Sequence, residues 1–97
     1  MTHASVSQAI CLVCEHLRLV IKKRNHCNQA EDRSVYQLFL ADLAELLATI
    51  EEHPDAATIK TAVDRHSQLL SQTWTHDENS FRAISLSWQS VVPILIA

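Results

Sequence analysis

The sequence predicts an all-α fold, an antiparallel four-helix bundle formed by a single helical domain over residues 1–97. Three observations predict it. The chain contains no glycine, the usual residue where backbone must take positive φ in tight hairpins, bulges and phosphate-cradling loops. Four segments carry apolar residues at alternating three- and four-residue spacing, the pattern of a helix with one buried face. The connections between them are short and carry no β punctuation, which favours helices packed beside their chain neighbours. No internal period supports the alternative of stacked helical repeats.

The first helix is expected over about residues 5–24. Ser5 and Gln8 make a capping box, and Val6, Ile10, Val13, Leu17 and Val20 form the seam, widened by Cys14 and Ile21. Arg18, Lys22, Lys23 and Arg24 gather toward its C-terminal end, where cations meet the negative pole of the helix dipole. The polar stretch from Asn25 to Arg33 is the first connection, with Asn28–Glu31 and Ser34–Gln37 as candidate starts for the second helix. That helix, about 30–52, carries Tyr36, Phe39, Leu43, Leu46 and Ile50, flanked by Leu40 and Leu47. It ends near Glu52 because Pro54 disfavours α conformation at His53.

The third helix, about 55–74, starts from Asp55 as N-cap or from Pro54. Its seam is Ile59, Ala62, Val63, His66, Leu69, Leu70 and Trp74. Thr75 and Glu78 form a capping box for the fourth helix, about 76–92, whose seam is Phe81, Ile84, Trp88, Val91 and Leu95. Pro93 interrupts that seam by removing a donor and crowding the preceding turn.

Composition narrows function by exclusion. The chain is 47% apolar and 20% charged, with a formal charge of −3 from interspersed acids and bases. It reads as globular, with no overall field that would draw in nucleic acid. No apolar run reaches the ~20 residues of a membrane span. The first residues lack a basic export region, and an odd number of cysteines, three, suits a reducing compartment. The expected location is the cytoplasm.

Candidate chemistry is sparse, and no catalytic residue, cofactor or metal is expected. Without glycine there is no Walker loop, dinucleotide fingerprint or nucleophile elbow. Cys11-x-x-Cys14 with His16 nearby has the residue types of a zinc site, but lies mid-helix without a second ligand pair at finger spacing. Cys14 reads more simply as a small core residue. His66 stands within a seam without a second histidine one turn away and reads as a buried side chain holding one hydrogen bond. A phosphoryl-accepting helical histidine needs a small residue one turn on, whereas Val20 follows His16 and Leu70 follows His66.

Two features point to a partner. Leu12 and Leu19 place apolar surface on a second side of the first helix, and Val91-Val92-Pro93-Ile94-Leu95-Ile96 is an almost unbroken apolar run. The expected function is therefore a protein–protein interaction module of the adaptor, chaperone-like, inhibitor or immunity type, bound to another protein or to a second copy of itself. Leu12, Leu19, Ile94 and Ile96 are the expected anchors, with Arg18 and Lys22 as a charged rim. The alternative is a metal- or redox-responsive helical sensor using Cys11, Cys14 and a histidine.

Overall fold

A computed structural model of the chain describes the backbone of residues 3–96 and the side chains of residues 6–96. Four helices follow one another: α1 (His3–Asn25), α2 (Ala30–Glu52), α3 (Ala56–Ser71) and α4 (Glu78–Leu95). Each packs against its chain neighbours, and α4 returns to α1, so the helices stand in a ring. A helix of 23 residues is about 34 Å long, and the connection at 26–29 spans less than half of that, so α1 and α2 run antiparallel. The body measures 41 × 21 × 20 Å, the shape of four rods side by side.

The alternating spacing in the sequence becomes the bundle axis. Val13 and Val20 of α1, Tyr36, Phe39, Leu43, Leu46 and Ile50 of α2, Ile59 and Val63 of α3, and Ile84 of α4 are fully enclosed. Leu12, Leu17, Leu40, Leu47 and Phe81 pack against this cluster from its margins. Burying each large apolar side chain is worth about 1.5–3 kcal/mol, and since each helix hides only one face, the helices stabilise one another.

Four element boundaries differ from the sequence reading. Ser5 lies inside α1, which starts by His3, so it does not act as the N-cap of a helix beginning there. Helix α2 starts at Ala30, within its expected bounds, but Gln29 holds the cap position and neither Asn28 nor Ser34 supplies a side-chain cap. Helix α3 stops at Ser71, not Trp74, where the Ser71 and Thr73 hydroxyls turn back onto the carbonyls of Gln68 and Leu69. Trp74 therefore leaves the seam and stands 66% exposed in the connection.

Thr75 does not cap α4. It is buried, donating its hydroxyl to the Asp77 carbonyl, while Asp77 takes the cap position and accepts from the Ser80 amide at 3.1 Å. At the other end α4 runs through Pro93 to Leu95. Pro93 lies on the exposed side, and burial of Leu95 to 2% exposure holds the final turn against the core. Asp55 caps α3 as expected, accepting from the Thr58 amide.

Leu43 is fully enclosed at the heart of the cluster. Leu43→Ala should cost about 2–5 kcal/mol through lost transfer energy and the cavity left behind, read as a fall in ΔG from urea denaturation followed by circular dichroism.

Candidate functional site

Two histidines sit where the seams would otherwise be apolar. His16 lies three residues after Val13 and four before Val20, and His66 holds the same relation to Val63 and Leu70. They belong to α1 and α3, which face each other across the ring, and both reach its axis. Their rings are edge to face with centroids 6.3 Å apart. Trp88 of α4 lies against both, 5.3 Å from His16 and 4.5 Å from His66. Phe39 closes the α2 side, 6.2 Å from His66.

Each imidazole is held by one nitrogen. His66 Nδ1 donates to the Asp42 carboxylate at 2.7 Å. His16 Nδ1 and the Ser87 hydroxyl share a hydrogen bond of 2.8 Å. Among the described residues, Nε2 of both rings has no hydrogen-bond partner. Asp42 is also gripped by Arg65 Nε at 3.1 Å, and Arg65 reaches Glu45 at the same distance. The Trp88 indole N–H donates to Ser67 at 2.9 Å and so ties α4 to α3.

Burial penalises charge here. Enclosure, and then the neighbouring His66, push the His16 pKa down to about 4. Burial also lowers His66, against the opposing pull of Asp42 and with a small push from Arg65 in the same downward direction. At neutral pH both rings are therefore uncharged, and the Nδ1–H donated to Asp42 leaves a lone pair on His66 Nε2.

Outside Trp88 the α3–α4 seam opens into a groove of about 450 Å³. Leu70, Phe81, Trp88 and Val92 supply apolar surface, and the hydroxyls of Ser67, Ser71, Thr73 and Ser85 border it. The lining has no charged side chain among the described residues. The groove forms because serines occupy this seam: Ser67 and Ser71 recur at one-turn spacing along α3, and Ser85 faces them from α4. Small side chains leave the space that leucines would fill.

A second polar cluster closes the end of the bundle where α3 passes to α4. Asp32, only 1% exposed in the first turn of α2, accepts from the His76 amide (2.9 Å), the Asp77 amide (3.1 Å) and His76 Nδ1 (2.9 Å). Burial alone would raise the pKa of this carboxyl, but its three donors outweigh that and hold it below the ordinary value. His76 is raised in turn by its bond to Asp32. The buried Tyr36 hydroxyl lies beside Thr75 without a formed hydrogen bond, and its pKa is raised by burial.

The residues expected to bind a partner are dispersed over three faces. Leu12 is half-buried against the core, and Leu19 is half-buried on the same flank of α1. That flank carries His16 and so borders α4. Ile94, 43% exposed, lies seven residues beyond Ser87 and therefore borders the same α1–α4 seam. Ile96, 45% exposed, lies one turn beyond Val92, on the groove side. Arg18 and Lys22 are exposed about a quarter-turn of α1 away from the Leu12–Leu19 stripe.

Cys11 is exposed, while Cys14 and Cys27 are half-buried free thiols. Among the described residues no three of His, Cys, Asp and Glu gather in a way that could hold a metal. His66 matches the reading of a buried ring with one hydrogen bond.

The sequence pattern does not single out His16 as an axial group, nor Ser87, Asp42 and Ser67 as the partners of His16, His66 and Trp88, nor Asp32 as the acceptor at the end of the bundle. His16 carried a signal, its three-and-four spacing from two seam valines, and Asp42 repeats that spacing from Phe39 and Leu46. The chain matches no family model, no curated protein and no solved structure.

Asp32→Ala should cost about 2–3 kcal/mol in urea denaturation, because two backbone amides lose a charge-assisted partner in an enclosed place. The His76–Asp32 pair carries its own pH signature. Because the folded-state pKa of His76 is raised, its contribution is complete below the ordinary histidine value and fades as pH rises through the folded value. His76→Gln should therefore flatten the loss of stability on the alkaline side of about pH 6.5, measured as unfolding midpoint against pH.

Proposed function

We propose that the chain is a non-enzymatic helical interaction module that receives an uncharged apolar segment of a partner protein in the α3–α4 groove. The observation that carries this reading is the groove itself. Its volume of about 450 Å³ lies within the range of binding pockets, and its apolar surface is edged by hydroxyls without any charge. Such a surface matches aliphatic or aromatic anchors flanked by neutral backbone polar groups, and penalises a charged segment that would lose its hydration. The C-terminal apolar run contributes Val92 and Pro93 to one end of the groove, with Ile96 beside it. Leu12, Leu19 and Ile94 supply a second apolar strip along the α1–α4 seam.

An enzymatic reading finds little support, because the one serine–imidazole contact among the described residues, Ser87 with His16, involves a ring that is 1% exposed. The proposed compartment is the cytoplasm, supported by three unpaired thiols. No helix is long and apolar enough to cross a membrane among the described residues.

Photo-crosslinking tests the assignment. A crosslinker placed at Gln89, on the groove, should capture a neutral apolar peptide of the partner, while one at Lys22, on the outer face of α1, should not. Ser85→Arg should weaken that association at least tenfold, about 1.4 kcal/mol, with an unchanged circular dichroism spectrum. Capture only through the Leu12–Leu19 flank, or full binding by the arginine variant, would overturn it. Light scattering separates a foreign partner from a second copy of the chain.

A further inference from the structure

We propose that the His16–His66 pair is an acid trigger set into the bundle axis: the fold holds while both rings are neutral, tolerates one proton, and loosens around Trp88 when the second ring is charged. This inference concerns the folding equilibrium and stands independently of the groove's occupant.

Among the described residues the geometry supplies one paired countercharge, Asp42, for two titratable rings. From α2, Asp42 faces His66 at 2.7 Å, and its other oxygen already accepts from Arg65 of α3. A proton added to His66 forms an ion pair with that carboxylate. From α4, the groups in contact are Ser87 and Trp88, neither of which carries charge. Within α1, the axial neighbours of His16 are Val13 and Val20.

A proton added to His16 thus meets a hydroxyl, an indole and a second imidazole 6.3 Å away. Among the described residues no carboxylate bonds to His16, and the ring is only 1% exposed, so once charged it regains its hydration only if the helices part. Trp88 touches both rings while its N–H holds Ser67, so the α3–α4 contact is the one the second charge disturbs.

The sign follows from linkage. In the unfolded chain a histidine titrates near 6.5, whereas folded His16 titrates at about 4. Between those values the unfolded state binds more protons, so stability falls as pH drops through this interval and levels off below it. A separation of about 2.5 pKa units corresponds to a roughly 300-fold fall in the folding equilibrium constant, and His66 adds in the same direction. The Asp32, Asp55 and Asp77 carboxyls are held below their ordinary value, so their losses lie below this interval. His76 works on the opposite side, above about 6.5.

The test is urea denaturation of the full chain from pH 7.5 to 4.5, in a Trp74→Phe background so that Trp88 alone reports. The background is needed because the exposed Trp74 lies 4.7 Å from the titrating His76. A fall of about two orders of magnitude in the folding constant is expected, with Trp88 emission changing in step. His16→Leu should remove most of the slope while keeping the helical spectrum, and Asp42→Asn should steepen the loss at the mild end by denying His66 its countercharge. Should either variant fail to fold, NMR titration of the histidine rings in the native chain decides. A His16 ring that stays neutral below pH 5 supports the trigger. Titration near 6.5 with the fold intact, or an identical pH profile in His16→Leu, overturns it.

Discussion

Register is the constraint on which the bundle depends. Apolar stripes at three-and-four spacing are nearly self-similar on sliding by one turn, so hydrophobic burial alone leaves several packings close in energy. Polar pairs distinguish among them. His66 with Asp42 ties α3 to α2, His16 with Ser87 ties α1 to α4, and Trp88 with Ser67 ties α4 to α3. A slip of one turn in any of these seams would leave an enclosed donor or acceptor without a partner, a larger loss than exchanging one aliphatic contact for another. The polar framework therefore selects one arrangement from those that the apolar stripes would permit.

The same framework explains the uneven fit of the four seams. Along α1–α2 the facing positions carry valine, leucine and aromatic side chains that interdigitate. Along α3–α4 the serines that serve Trp88 and border the groove are too small to fill the space between helices. A hydrogen-bond acceptor for a buried indole and an opening at the surface thus arise from one local choice of residue. Close packing on one side of the molecule and a cleft on the other are both written in side-chain size.

The fold was legible because it rests on periodicity, which survives in a single sequence. The seam of α2, Tyr36 through Ile50, is enclosed at every position read from spacing. The cap at Asp55 and the stop before Pro54 were equally plain, since both act within one turn of chain. The misread boundary lay between α3 and α4. Trp74 fitted the spacing and Thr75 fitted a cap, but Asp32, more than forty residues earlier, captures the His76 and Asp77 amides and bends the chain differently. No local pattern announces such a long-range bond. The candidate site was only half legible for a related reason: His16 occupied a seam position, but the partners that orient it, Ser87 and Trp88, come from the far end of the sequence and are ordinary residues there.

The Asp32 clasp also makes the two ends of the bundle unequal. At one end, the His76 and Asp77 amides are stapled to the buried Asp32 carboxylate at the start of α2, and a backbone displaced there would leave that enclosed charge without its donors. At the opposite end, His53, Pro54 and Asp55 are exposed, and their bonds reach no further than the adjoining turns. Foreign sequence, whether a reporter domain or an epitope, is accommodated at this second tip and not at the first. The molecule thus has a closed pole and an open one, and evolution or engineering can lengthen the chain at the open pole without touching the interior.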